Sequence, residues 1–133
     1  MERLLLLVIG AVSGIALSLV FQVSAEGENG AATKPVYVVV SAEIHEPDQL
    51  GPYAEAARPL ALAAGVEVLA RVPAVPEENV FEGTWPHAGG ITIEKFESMQ
   101  AFRDFWNSDD YQAAIELRKG KVDLNFVVAL EAN

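Results

Sequence analysis

"ITIEKFESMQAFRDFWNSDDYQAAIELRKGKVDLNFVVAL", residues 91–130, decides the fold. "ITIEKF" is a short run suited to a strand, and "VDLNFVVAL" reads as another. Between them "SMQAFRDFWN" and "SDDYQAAIELRKG" are two consecutive helical segments. The second is punctuated at both ends. Ser108 caps it, Asp109 and Asp110 set negative charge at the positive end of its dipole, Lys119 sits in the last turn, and Gly120 stops it. Strand, helix, helix, strand is one β-α-β half, so the preceding residues should supply another.

They do. "PVYVVVSAEI", residues 35–44, alternates: Val36, Val38, Val40, Ala42 and Ile44 point one way, and Tyr37, Val39, Ser41 and Glu43 the other. "DQLGPYAEAARPLALAAG", residues 48–65, follows as a helix with Asp48 as cap and Gly65 as stop. Leu50, Tyr53, Ala57, Leu60 and Ala64 make its buried stripe. Pro59 removes a backbone donor and crowds the carbonyl of Glu55, so the helix is expected to kink or restart there. "VEVLARV", residues 66–72, is a second strand, and "PAVPEE" is a turn-rich connection with Pro73 and Pro76. "NVFEGTW", residues 79–85, and "ITIEKF" flank "PHAGG" and read as a third strand within a hairpin arm.

The order β-α-β-β-α-β implies an α+β, ferredoxin-like fold: a four-stranded antiparallel sheet with its helices on one face. In the last strand Val122, Leu124, Phe126, Val128 and Leu130 are expected to form one wholly apolar face, and Asp123, Asn125, Val127 and Ala129 a mixed one. One sheet face then packs on the helices, while the other is too apolar for open water. A partner sheet covering it, making a homodimer, is the simplest remedy.

The chain has 133 residues and divides into a leader over 1–25, a polar lead-in over 26–34 and a domain over 35–133. No charge occurs from Leu4 to Phe21, a run of 18 residues. That is longer than a signal-peptide core of roughly 7–15 residues and near the lower limit of roughly 17–25 for a membrane span. "VSA" at Val23–Ala25 suits cleavage after Ala25, so a signal peptide and a retained N-terminal anchor both stay open. In either case the domain is expected outside the cytoplasm, periplasmic or secreted, and the membrane is a partner only if the segment is retained. The lack of cysteine excludes disulfides, thiolate metal sites and a thiol nucleophile. A net charge of −10 argues against nucleic acid and anionic lipid as partners.

Few residues could carry chemistry. Arg118 falls on the protein-facing side of the last helix, where a guanidinium needs an acceptor. A carboxylate such as Glu82 or Glu94, backbone carbonyls, or an anionic group on a ligand could serve. Tyr53 and Arg58 would edge any cleft opened at Pro59. Glu82, beside Gly83 in "FEGTW", is a candidate general base. Phe102, Phe105 and Trp106, with Met99, follow helical spacing as core, and Trp106 joins Tyr53, Arg58, Glu82, Tyr111 and Arg118 as a candidate for lining a ligand site. His45 and His87 are the only histidines and lack metal-site spacing, so no metal is expected. Neither a P-loop nor G-x-G-x-x-G nor G-x-S-x-G occurs, and no cofactor is expected.

"KPVYVVV", "YAEAARPLALAAG", "FEGTW", the block from Ile91 to Gly120 and "DLNFVVALE" together resemble the family known as domain of unknown function 1330. The resemblance implies a dimeric, ferredoxin-like α/β barrel and brings no activity with it. Tyr53, Arg58, Pro59, Gly65, Glu82, Gly83, Glu94, Ser108, Tyr111 and Arg118 match the family pattern. The chain departs from it where Arg71 is followed by Val72 and Pro73 rather than by a glycine pair, and in carrying a leader. Three functions follow as expectations. One is a binding module for a small, largely apolar organic molecule. Another is a cofactor-independent enzyme, monooxygenase- or isomerase-like, with Glu82 as base and Tyr111 and Arg118 stabilising negative charge. The third is a structural dimer without ligand.

Overall fold

The computed structural model describes residues 33–133. The expected leader and most of the lead-in fall outside them. Among the described residues no helix is long and apolar enough to cross a membrane.

The chain runs β1 (Val36–Ile44), α1 (Gly51–Ala63), β2 (Glu67–Val72), β3 (Gly90–Phe96), α2 (Met99–Asn107), α3 (Asp109–Glu116) and β4 (Val122–Glu131). The strands form one sheet in the order β2-β3-β1-β4, and every neighbouring pair is antiparallel. Two β-α-β halves therefore interleave, with β1 and β3 in the middle, which is the ferredoxin-like arrangement.

Val36, Val38 and Phe96 are fully buried, and Val40, Ala64, Val66, Met99, Phe102, Phe105, Val127 and Ala129 pack around them. The Phe96 ring meets Phe102 edge-on at 5.2 Å and Phe105 at 5.6 Å between centroids. These aromatic contacts fix α2 on the sheet. The expected stripe of α1 is the side it turns inward: Leu50, Tyr53, Ala57, Leu60 and Ala64 are all half-buried.

Four local expectations need correction. Asp48 does not cap α1. It lies in a 3-10 turn, Pro47–Gln49, and α1 starts from Leu50 with no side-chain cap. Of the kink or restart expected at Pro59, the restart does not occur: α1 continues through it to Ala63, and Gly65 ends it with φ +69°. Residues 79–85 are not a strand. They belong to a long connection between β2 and β3 with a single 3-10 turn, Glu77–Asn79. β2 pairs directly with β3, so that stretch is looped out of the hairpin rather than forming one of its arms. Gly83 there has φ +81°, and Phe81 is 95 % exposed.

The fourth correction concerns β4. Ser41 pairs with Phe126 but Ala42 pairs with Leu124, so Asn125 is an extra residue, a β-bulge. The bulge splits the expected apolar face. Leu124 and Val122 fall on the helix side opposite Ala42 and Ile44, and Phe126, Val128 and Leu130 on the outer side opposite Ser41, Val39 and Tyr37. Asn125 Nδ2 donates to Ser41 Oγ at 3.1 Å and to the Ala88 carbonyl at 2.9 Å. It thereby ties the β2–β3 connection to the sheet. Trp85 and His87 from that connection lie edge-on to Phe126, at 6.4 and 5.4 Å between centroids.

The connection ends where backbone passes backbone. A Cβ on Gly89, whose φ is +85°, would stand 2.0 Å from the Ala42 carbonyl oxygen. At Gly65 the φ is also positive but nothing lies within 4 Å. Gly65→Ala should therefore cost about 1 kcal/mol, the left-handed strain alone. Gly89→Ala adds a backbone clash and should cost roughly 3 kcal/mol. Urea unfolding of the two variants measures the difference, and equal losses would show that Gly89 is not held against Ala42.

Candidate functional site

Between the helix-covered face of the sheet and the helices lies a cavity of about 890 Å³. Val38, Val40, Ala42, Thr92 and Glu94 form its sheet side, with Leu124 and Val127 from β4. Leu50, Tyr53, Phe102, Phe105, Trp106, Tyr111 and Arg118 form the helix side. The bulge supplies part of this wall, because without it Leu124 would face outward.

The polar end is built by α3. Ser108 Oγ accepts from the Tyr111 N–H at 3.2 Å and donates to the Phe105 carbonyl at 2.9 Å. That cap joins α2 to α3 and points Tyr111 inward, against Phe105 at 4.2 Å and Trp106 at 5.7 Å. Tyr111 is 8 % exposed, and its hydroxyl is 3.3 Å from that of Tyr53 on α1.

After Glu116 the chain tightens. Leu117, Arg118 and Lys119 donate to carbonyls three residues back. In such a turn residues three apart eclipse, which keeps Arg118 in line with half-buried Ile115. Arg118 is 9 % exposed, and its Cζ lies 5.5 Å from the centre of the Tyr53 ring, a cation–π contact. Its Nε is buried and has no hydrogen-bond partner. No carboxylate among the described residues lies within ion-pair distance of it.

Two groups here titrate away from their ordinary range. Burial pushes the Tyr111 phenol far up; Tyr53 adds to the effect and Arg118 opposes it. Tyr111 is thus a lasting O–H donor rather than a base. Burial also raises the Glu94 carboxyl, partly opposed by the charge of Arg71. Among the described residues no cluster of His, Asp and Glu could hold a metal ion.

Four of the expected site residues come together: Tyr53, Trp106, Tyr111 and Arg118 all line the cavity. Arg58 and Glu82 do not. Arg58 is exposed on α1, since α1 runs on past Pro59, and Glu82 is exposed in the β2–β3 connection. Of the three kinds of acceptor open to Arg118, the carboxylates Glu82 and Glu94 do not reach it. Sequence reasoning undervalued Glu94 and missed Thr92 and Arg71 as lining residues. A signal was available in "ITIEKF", where Thr92, Glu94 and Phe96 share one face and Phe96 marks that face as inward.

A ferredoxin-like α+β domain with an aromatic-walled cavity beneath its helices is the class of protein these features define. The chain belongs to the family described as Domain of unknown function (DUF1330), whose model matches residues 35–131. No curated protein matches it. Among solved structures it is similar to a protein of unknown function, RPA0582, from Rhodopseudomonas palustris, with a TM-score of 0.60 and 16 % identity over 87 % of this chain and 92 % of that one. A dimeric ferredoxin-like protein of unknown function from Thermobifida fusca is similar at TM-score 0.45 and 14 % identity, covering 79 % and 95 %. SnoaB, a cofactor-independent oxygenase from Streptomyces nogalater, is similar at TM-score 0.46 and 9 % identity, covering 76 % and 95 %.

The raised Glu94 carboxyl has a measurable consequence. The folded state holds that proton more tightly than the unfolded chain, whose carboxyl titrates near 4.5. Stability is therefore highest below 4.5 and falls as the pH rises from there through the folded value. Glu94→Gln removes this dependence. Thermal melts should show the variant near wild type in acid and more stable than wild type above neutrality. A gap that does not change with pH would mean that Glu94 is not held in a dehydrating site.

Proposed function

We propose that this domain is an exported homodimer that binds a small, largely apolar organic molecule in the cavity beneath its helices. The observation that carries the reading is Arg118: a guanidinium nine-tenths buried, facing an apolar cavity, with no counter-charge among the described residues. The volume falls within the roughly 300–1,000 Å³ typical of sites for small organic molecules. The outer sheet face supports the dimer. Val128 is 41 % and Leu130 54 % exposed there, beside Val39 and Tyr37, and a second sheet would remove them from water. The apolar run Leu4–Phe21 supports export.

An enzyme of the same architecture is the second reading, and one observation favours it. Glu94 is a carboxyl in the cavity whose pKa burial raises. It would replace Glu82 as the general acid–base group, with Tyr111 donating and Arg118 countering developing negative charge. A purely structural role is less well supported, because it calls for a carboxylate partner that Arg118 lacks among the described residues.

Native mass spectrometry of the protein purified from the exported fraction tests the proposal. A dimer carrying a discrete extra mass is the expected result, and a clean monomer would sink the dimeric reading. Arg118→Met should abolish the extra mass and, compared with ligand-free wild type, should raise stability, since it removes an unpaired buried charge and strands no partner. A loss of roughly 3–5 kcal/mol would instead mean that Arg118 completes a buried ion pair. Leu130→Asp puts a charge on the outer face and should shift the mass measured by light scattering from dimer to monomer.

A further inference from the structure

We infer that the molecule this cavity takes is an organic monoanion, an aromatic or cyclic carboxylic acid whose carboxylate seats on Arg118. The inference rests on the binding reading above and adds the chemical class.

The polar end of the cavity is rich in donors. Arg118 carries a permanent charge in a planar fork that matches a carboxylate, and its position is fixed by the Tyr53 ring 5.5 Å away. Tyr53 and Tyr111 bring two hydroxyl protons to the same place. Their mutual hydrogen bond, 3.3 Å, uses one and leaves the other free to donate. The Tyr111 phenol does not ionise in the ordinary pH range, so this end gains no negative charge of its own. Glu43 and Glu94 are the carboxylates among the lining residues, and neither pairs with Arg118. A buried guanidinium without a counter-ion is destabilising by several kcal/mol, and an arriving carboxylate removes that cost.

The rest of the wall sets the body of the ligand. Val40, Val127, Phe102, Phe105 and Trp106 offer hydrocarbon and ring faces. The other cation of the lining, Arg71, acts on the Glu94 carboxyl, which faces it with the opposite charge when ionised. A flat apolar skeleton fits between these walls, whereas a sugar or a polyphosphate would leave most of its polar groups unmatched. The chain's net charge of −10 means that no broad electrostatic attraction draws anions in. Preference for an acid must therefore come from the cavity's own donors, Arg118 and the two hydroxyls foremost.

Titration calorimetry with three probes of one shape tests this: naphthoate, naphthamide and naphthylmethylammonium, added to the purified protein after removal of bound material. Naphthoate should bind about tenfold more tightly than the amide, and the ammonium probe most weakly. In Arg118→Lys, which keeps the charge but loses the fork, naphthoate should weaken about tenfold and the amide should hardly change. If amide and naphthoate bind equally, the anion assignment falls while the binding reading stands. If none of the three binds to a folded protein, both fall together. The ranking on the unaltered chain decides this without the variant.

Discussion

One extra residue in β4 determines where the last strand's side chains go. With strict alternation, Leu124 and Val122 would share the outer face with Phe126, and the cavity would lose two apolar wall residues. The Asn125 bulge turns them inward opposite Ala42 and Ile44 while Phe126, Val128 and Leu130 stay outside. The same asparagine reaches the Ala88 carbonyl and Ser41 Oγ, so the feature that opens the cavity also anchors the connection that covers part of the opposite face. Gly89 then lets that connection pass over the Ala42 backbone before β3 begins. Sheet register, cavity wall and loop placement are thus one problem with one solution.

The cavity's polar end follows from a second local event, the tight turn after α3. Helical spacing already puts Arg118 on the inward side; the 3-10 hydrogen bonds of Leu117 to Lys119 keep it in line with Ile115 and against Tyr53, and the Ser108 cap aims Tyr111 at the same spot. The three side chains come from the two ends of α3 and from the distant α1. Their convergence therefore depends on the packing of both β-α-β halves rather than on any contiguous motif.

That division explains how much the sequence reveals. Alternation in "PVYVVVSAEI", the inward stripe of α1 and the Ser108 cap of α3 are local signals, and the structure follows each of them; the stop expected at Gly120 comes earlier, since α3 ends at Glu116 and a turn carries the chain on to the glycine. So is the misfit of Arg118 on an inward face, which points to the cavity. What is not legible is whatever depends on a partner strand. "NVFEGTW" looks like a strand until β2 and β3 pair with each other, and the even alternation of β4 hides a bulge that only the register with β1 reveals. Glu82 was favoured over Glu94 for the same reason: a strand places a carboxylate beside a core, whereas an exposed loop does not. Pro59 is a different case. α1 runs about two turns before it and continues through it to Ala63.

The position of β1 has a consequence in time as well as in space. It is the first of the four strands in sequence, yet its partners are β3 and β4, and Val36 waits for Glu131, the last residue of β4. Contacts of such long sequence separation form slowly, and synthesis adds only roughly 5–20 residues per second. The sheet cannot close until β4 has been made, so the domain stays open through most of its synthesis. Were the domain exported as proposed, that delay would keep it threadable through a narrow channel, and folding would wait for the far side.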